Sequence, residues 1–399
     1  MGLESSNKVV FLLGAGASIP AGMPTTRDIS CQVVTGQGYV RSSDETFYPG
    51  KPMGYEVGLK CQFTPRVVQF IQILIAAFHK YARRTGVRDI SYEDLFYLAN
   101  RIHDSEVGIL DDPTVQTYVD SIRASTAGLL RSEIPGYHVC QLHELATMTC
   151  EYIRDVVWHK LSKCPEFTEA HNLLIDACRD TSRDSIDIVT LNHDLLIERS
   201  LAQSSIIFVD GFGEGVYDVQ YWTPSLLDTD QAKVTLLKPH GSIDWFYCYL
   251  NSSPREYVTV KIRSFDPVGP LGRGNVRLHY TDYRPLILTG TYNKLERYSG
   301  GVYFDLQYHF YGRLHRAKDV VVAGYGFGDN GINSRILDWA AGSRDRYITL
   351  IHPNPNKLYE SLNYGVSRFL FELRSFGRLR EIDRGIEQTT WDEIRSVLH

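Results

Sequence analysis

Asn192, Asp194 and His240 have side chains suited to proton transfer and charge stabilisation, and each stands just after a short apolar run. Histidine titrates near neutrality and accepts a proton from a hydroxyl or a water. Asparagine carries both a donor and an acceptor, which suits it to hold a water or a hydroxyl. Aspartate is anionic and can orient a polar group or stabilise a developing cation. Asn192 and Asp194 also have the residue types favoured at helix starts, so a capping role stays open for both. His193, His309 and His352 taken singly read as satisfied structural histidines, and Lys238 reads as structural.

A further feature suits anion binding. The apolar run 9–13 is short and branched enough for a buried parallel strand, and Gly14 and Gly16 follow at once. Ala15, Ala17 and Ser18 then lead into a helix or helix-like turn. A strand, a glycine-rich turn and a helix start make the dinucleotide-binding geometry: no Cβ blocks a pyrophosphate, and free N–H groups point at it. The third glycine of the usual GxGxxG is replaced by Ile19, and the row continues to Gly22 and Pro24. The bland alternative is a tight turn in an ordinary nucleotide-fold sheet that binds nothing.

The elements that must position these residues read as strands at 186–191, 206–209, 234–237, 285–289, 320–323 and 348–351, with helices at 192–202, 300–316 and 330–342. This alternation predicts an α/β fold: a Rossmann-like, doubly wound parallel sheet with helices on both faces. Ligands collect at the carboxyl ends of such strands. There stand Thr190 with Asn192 and Asp194, Lys238-Pro239-His240-Gly241, the run from Gly324 to Asp329, and His352-Pro353-Asn354-Pro355. All four ends are expected to face one crevice.

The sheet-forming parts are 1–30 and 183–399, and residues 60–180 read as a large helical insertion. Val67, Phe70, Ile71, Leu74, Ile75 and Phe78 form a stripe at helical spacing, Pro65 suits a first turn, and Ser91 with Asp94 resembles a capping box. Further helices are expected at 114–131, 138–163 and 167–179. Residues 25–60 read as a long irregular loop with a turn of helix near 26–34, placed to serve as a lid or else a disordered insertion. Residues 252–284 read as a loop or a small β-excursion.

Composition narrows the classes. The chain has 399 residues, 43% hydrophobic and 22% charged, as expected for a globular protein with a sizeable core. A net charge of −5 argues against broad attraction to nucleic acid or anionic membrane. No apolar run approaches a membrane span and no signal peptide is evident, so a cytoplasmic protein is expected. The seven cysteines are odd in number and contain no CxxC pair, which argues against a disulfide framework and a structural zinc site; no metal is expected.

The glycine row is the start of a longer string, GAGxSxxxGxP over 14–24. It is joined by TxNxDxxIE over 190–198, KxHG over 238–241, and GxGxxD over 324–329 with Ile332 and Asn333. These four motifs, in this order, resemble the sirtuin-like (silent-information-regulator) NAD-binding family over 8–30 and 183–355. The resemblance implies NAD+ as the substrate. It implies cofactor contacts from Gly14, Ala15, Gly16, Ala17, Ser18, Pro24, Thr190, Gly241, Gly324, Gly326, Gly328, Asp329, Asn333, His352 and Asn354. Asp329 is read as meeting a ribose hydroxyl or capping the next helix. The family cleaves the nicotinamide–ribose bond through an oxocarbenium-like ribose. The implied catalytic residues are Asn192, holding water at the anomeric carbon, His240, accepting a proton, and Asp194, supporting. Position 193 departs from the family, where Tyr is more frequent.

The absence of two CxxC pairs separates this chain from the family's protein deacylases. Its zinc-less, helically expanded form looks like the bacterial antiphage-defence members that hydrolyse NAD+ to nicotinamide and ADP-ribose. Because the chain ends near Leu398, soon after the sheet-forming part, a fused sensor is not expected. Control by homo-oligomerisation through the helical block is expected instead, or by a separate partner such as a HerA-like DNA-translocating ATPase or an Argonaute-type protein. No direct nucleic-acid or membrane binding is expected. The alternatives are an NAD-dependent protein deacylase or ADP-ribosyltransferase, and a non-catalytic NAD or ADP-ribose sensor. A nuclease is disfavoured by the lack of a carboxylate cluster.

Overall fold

The computed structural model describes residues 7–42, 45–51, 63–81, 89–109, 111–131, 140–165, 169–228, 232–249 and 256–399. The chain forms two compact units: Met1–Met23 with Leu161–Leu288 and Lys294–His399, and Pro24–Lys160 with Thr289–Asn293.

The first unit is built on a seven-stranded sheet. Its spatial order is Leu379–Ile382, Tyr347–Ile351, Asp319–Ala323, Lys8–Leu13, Ser185–Thr190, Val234–Leu237 and Phe208–Val209. Every neighbouring pair is parallel. The central strand explains the apolar runs, because a parallel strand covered on both faces has no solvent side on which to place polar residues. Val10, Leu12, Val320 and Val322 pack on one face with Leu306, Phe310 and Leu314 of helix Gly301–Arg316, and with Ile336 and Trp339 of helix Asn330–Ala341. Val9, Phe11, Ile186 and Ile188 pack on the other with Leu173, Leu174 and Ala177 of helix Asn172–Arg179, Leu201 of helix Leu196–Gln203, and Trp391. The alternation along one strand therefore serves two helical layers, the Rossmann-like arrangement.

The register brings the strand ends level. Leu13 pairs with Ala323 on one side and Thr190 on the other, and Val189 pairs with Leu237. The loops after positions 13, 190, 237 and 323 thus leave the same edge of the sheet.

Residues 285–289 depart from expectation. They form no strand of this sheet and make only an isolated bridge, Gly241 with Ile287. Pro285 has no N–H to give a ladder. The segment instead braces the 240–242 loop: Leu288 N–H donates to His240 O at 2.8 Å and Ser242 N–H to Leu286 O at 3.0 Å. Part of 252–284 belongs to a four-stranded antiparallel sheet, ordered His279–Tyr280, Trp245–Tyr249, Tyr257–Ile262 and Val219–Tyr221. The helix expected from 192 begins at Leu196, because residues 192–194 are engaged in the strand-end loops.

The second unit holds helices Thr26–Thr35, Phe63–Tyr81, Tyr92–Glu106, Pro113–Thr126 and Leu142–Leu161, with a hairpin of Tyr39–Arg41 and Phe47–Pro49. Reciprocal capping boxes start two helices, Thr25 with Asp28 and Ser91 with Asp94. The stripe at Val67, Phe70, Ile71 and Leu74 is fully buried, and its helix packs against helices Thr26–Thr35, Tyr92–Glu106 and Pro113–Thr126. Those four residues are therefore spent inside the unit, which removes the reason for expecting assembly through them. In the stretch read as an irregular loop, the described residues form helix and hairpin, while 43–44 and 52–60 lie outside the described residues. Among the described residues, no helix is long and apolar enough to cross a membrane.

Candidate functional site

Two clusters stand at the carboxyl edge of the sheet. The first is the 14–18 loop. It is two consecutive 3-10 turns, Ala15–Ala17 and Ile19–Ala21, rather than an α-helix start. Gly14 N–H donates to Ala323 O and Gly16 N–H to Gly324 O, while Ala17 and Ser18 N–H groups donate to Gly14 O and Ala15 O. The N–H groups of Gly14, Gly16, Ala17 and Ser18 are thus bonded within the protein. The glycines have a different reason from the expected one. A Cβ on Gly14 would stand 2.6 Å from Gly324 O, and one on Gly16 2.7 Å from Gly324 Cα. Gly324 itself has φ +62°, and its Cβ would meet Ala17 N at 2.1 Å. Two loops pack backbone on backbone here, and only glycine allows it.

Asn192 ties this loop to the next strand. Its side-chain NH2 donates to Gly14 O at 3.0 Å and to Ser18 Oγ at 2.8 Å. Gly14 O can only accept, so the amide must face it with its nitrogen, and both hydrogens are used. Oδ1, an acceptor, is what Asn192 has left to offer a ligand. Thr190 Oγ1 accepts from Asn192 N–H at 3.2 Å. His171, which no motif marks, lies beneath the loop with Nε2 3.0 Å from Ala17 O; burial lowers its proton affinity.

The second cluster surrounds His240. Its Nε2 is 2.7 Å from the Tyr298 hydroxyl and 3.1 Å from Asp329 Oδ2, and that hydroxyl lies 2.7 Å from the same Oδ2. All three residues are buried. Burial opposes charge on Asp329. The hydrogen bond and charge of His240 outweigh it, with help from Lys294 and the Ile332 N–H, and hold the carboxyl well below the usual range. Burial, then the Asp329 charge, pushes the Tyr298 phenol far up. His193 stacks obliquely on His240 with ring centroids 6.2 Å apart. Burial, then the His240 charge, depresses its proton affinity strongly.

The two clusters are joined through hydrogen bonds between the loops after 190 and 237. Ile243 N–H donates to His193 O at 3.1 Å, and His193 Nδ1 lies 3.3 Å from Gly241 O. Gly241 was expected to admit a ligand. Its φ of +82° and a Cβ position 2.0 Å from Leu286 O show that it admits the 285–288 brace.

Asp194 is buried and caps locally, its Oδ1 accepting from Leu196 N–H at 3.1 Å. Its carbonyl accepts from Lys238 Nζ, which also pairs with Glu198 at 2.8 Å. Asp329 Oδ1 accepts from Ile332 N–H at 2.9 Å, so Asp329 caps its helix while Oδ2 faces Tyr298 and His240. Asn333 is spent on its own loop, donating to Phe327 O at 2.8 Å and accepting from the Tyr325 hydroxyl at 2.8 Å. That pairing holds Phe327 in a left-handed conformation, φ 52°. Gly326 and Gly328 are exposed and a Cβ on either would meet nothing, which leaves an open rim, as does exposed Ala15. His352 Nδ1 accepts from Asn354 N–H, and Asn354 caps helix Pro355–Ser361 through Lys357 N–H. These two are not drawn into either cluster by those bonds. Pro24 is the first residue of the second unit. Among the described residues, no group of three or more His, Cys, Asp or Glu is arranged to hold a metal ion.

Residues 187–367, which include Asn192, His240, Tyr298 and Asp329, match the family model of the SIR2-like domain. The chain carries a SIR2-like domain. Among solved structures, a Sir2 homologue–NAD complex is 14% identical, covering 98% of this chain and 90% of that one, with a TM-score of 0.40. A sirtuin solved to explain substrate affinity is 13% identical, covering 99% and 94%, with a TM-score of 0.37. At those scores the likeness supports no residue-level comparison. No curated protein matches the chain. The SIR2-like match begins inside the Ser185–Thr190 strand, so the 14–18 loop lies outside it and is tied to it through Asn192.

Tyr298 was missed at the sequence level. It lies outside every motif and just beyond a five-residue helix, Asn293–Arg297, and only the fold brings it to His240.

Proposed function

We propose that this chain binds NAD+ at the carboxyl edge of its sheet and hydrolyses it to nicotinamide and ADP-ribose. The observation that carries the reading is the placement of Asn192 and His240 on loops leaving adjacent strands, within a SIR2-like domain. Cleavage of the glycosidic bond releases nicotinamide and leaves an oxocarbenium-like ribose. Water adds at the anomeric carbon and loses one proton. Asn192 Oδ1 accepts a hydrogen bond from that water or a ribose hydroxyl, and His240 takes the proton. Asp194 supports from its buried cap. The open rim at Ala15, Gly326 and Gly328 gives a dinucleotide room to approach without a side chain in the way. In this reading the enzyme depletes NAD+ in antiphage defence inside the cytoplasm, under control of self-assembly or of a partner such as a HerA-like ATPase or an Argonaute-type protein.

The test is incubation of the purified chain with NAD+, alone and with candidate partners, following nicotinamide and ADP-ribose by chromatography. Release of both in equal amounts is expected. NAD+-dependent release of acyl groups from lysine peptides, with no hydrolysis, would replace the reading with a deacylase. Binding without turnover would make the chain a sensor.

A further inference from the structure

The structure assigns to Asp329 and Tyr298 the task of fixing the tautomer of His240, with the proton on Nε2 and the lone pair on Nδ1. The argument is an inventory of protons among three atoms in mutual contact. Tyr298 Oη and Asp329 Oδ2 are 2.7 Å apart, and two oxygens that close need a hydrogen between them. The carboxylate has none to give, since its charge is held by His240, Lys294 and the Ile332 N–H against the cost of burial. The phenol has one, and so Tyr298 donates to Asp329. Its oxygen can then only accept from His240, 2.7 Å away. The contact needs a hydrogen on Nε2, and so does the 3.1 Å approach of Nε2 to Asp329. In its neutral form the His240 imidazole carries one N–H, so in that form Nδ1 is bare.

The opposite tautomer would leave a phenol oxygen against a carboxylate with no proton between them, or a bare nitrogen against both. The surrounding charges do not alter the inventory. His193 lies beside the ring, Arg335 stands over the Tyr298 ring at 5.6 Å, the Tyr325 hydroxyl lies 3.1 Å from the Asp329 carbonyl, and Lys294 and Lys238 contribute positive charge. On the functional reading above, Nδ1 is therefore the atom that accepts the proton, while Asp329 and Tyr298 act through His240 as positioning residues.

The experiment uses the full chain without ligand, labelled with 15N-histidine, and reads the tautomer from long-range proton–nitrogen correlations. His240 is assigned by the signal lost in His240→Gln. The expected neutral form is Nε2–H. Asp329→Asn keeps the cap on Ile332, since Asn serves that position well, but reverses the donors: the amide donates to the phenol, the phenol donates to Nε2, and the proton moves to Nδ1. A switch to the Nδ1–H pattern is expected. With it comes a fall in kcat for NAD+ hydrolysis of about 10²–10⁴-fold, the range for losing a correctly poised base, with a smaller change in KM. Tyr298→Phe leaves the direct His240–Asp329 contact and is expected to retain Nε2–H. A wild-type spectrum showing Nδ1–H overturns the assignment, and so does an Asp329→Asn spectrum unchanged from wild type or an Nδ1–H pattern in Tyr298→Phe. If the chain leaves NAD+ intact under every condition yet shows Nε2–H, the hydrolase reading fails and the tautomer assignment stands.

Discussion

The 14–18 loop and the His240 cluster share one edge of one sheet and are made of different material. The loop is held by backbone: Gly14 and Gly16 against Gly324, with N–H groups donating to carbonyls. The cluster is held by side chains from three separated segments, His240, Tyr298 and Asp329. A backbone joint tolerates almost no added atom, so substitutions there should report on folding. A side-chain cluster can lose a group and keep its shape, so substitutions there should report on chemistry. Glycines in a nucleotide-type loop are usually explained by the ligand. In this protein the neighbouring loop already requires them, and a Gly16→Val variant would test that joint rather than any binding site.

The largest effect expected from this contrast is at Gly324. Alanine there must adopt φ +62° and push its Cβ to 2.1 Å from Ala17 N. The left-handed strain and the overpacking together cost about 2–6 kcal/mol. Gly324→Ala should therefore lower the midpoint of thermal or urea unfolding strongly. A wild-type midpoint would mean that the two loops part easily and that the joint is not built as described.

His240→Ala is the counterpart in the other cluster. It removes the proton acceptor and should cost about 10²–10⁴-fold in NAD+ hydrolysis. It also removes one donor to Tyr298, so Asp329 loses a stabilising partner, but the phenol–carboxylate bond survives. Circular dichroism and the unfolding midpoint should stay near wild type while turnover disappears. Unfolding of this variant, at a cost like that of Gly324→Ala, would erase the distinction between the two regions.

Asn192 belongs to both regions. Asn192→Asp keeps the size and the acceptor but loses the hydrogens given to Gly14 O and Ser18 Oγ. It also sets a carboxylate against a carbonyl. Gly14 O keeps the Ala17 N–H as a donor, so the stability cost is the lost hydrogen bond plus the carboxylate–carbonyl repulsion, about 1–3 kcal/mol. Both stability and turnover should fall, each measurably. A loss of turnover with full stability would place Asn192 wholly with the chemistry.

The same contrast explains what could be read from the sequence. The runs at 9–13, 234–237, 320–323 and 348–351 were legible because a strand buried on both faces is almost wholly apolar, with only Thr235 and Thr349 interrupting these. Residues 285–289 have the same composition but do not join the sheet; an apolar run does not say what its hydrogen bonds will meet, and these meet the 240–242 loop. Leu379–Ile382 was illegible because it is an edge strand carrying Arg380 and Glu381. The glycines, Asn192, Asp194 and His240 were visible as types at strand ends. Their partners were not. Tyr298 reaches His240 from 58 positions along the chain and Asp329 reaches Tyr298 from 31, and no local pattern records such pairings.

The smallest effect expected is a pH dependence of stability set by His193, beside His240. Burial, then the His240 charge, depresses its proton affinity well below the ordinary histidine value near 6.5. In the unfolded chain the same imidazole takes a proton below about pH 6.5. As pH falls through that value, the unfolded state binds a proton that the folded state refuses, so stability must fall. The slope contributed by one such group is at most about 1.4 kcal/mol per pH unit. Above pH 6.5 both states are neutral and the contribution is flat. His171, buried under the 14–18 loop, adds a term of the same sign. Asp329 acts in another window. Its carboxyl is held below the usual range, so its contribution is complete above about pH 4 and is lost only in stronger acid. Urea unfolding at pH 7.5, 6.5 and 5.5 therefore brackets the histidine window and stays above that of Asp329, and the comparison with a His193 variant separates its share from that of the buried carboxyls Asp187 and Asp244, which burial pushes up. His193→Asn places an amide nitrogen where Nδ1 stands, so it can still donate to Gly241 O but cannot titrate. It should reduce the loss of stability between pH 6.5 and 5.5 without changing the value at pH 7.5 by a comparable amount. An unchanged slope in His193→Asn would mean that burial does not hold His193 neutral in the folded protein.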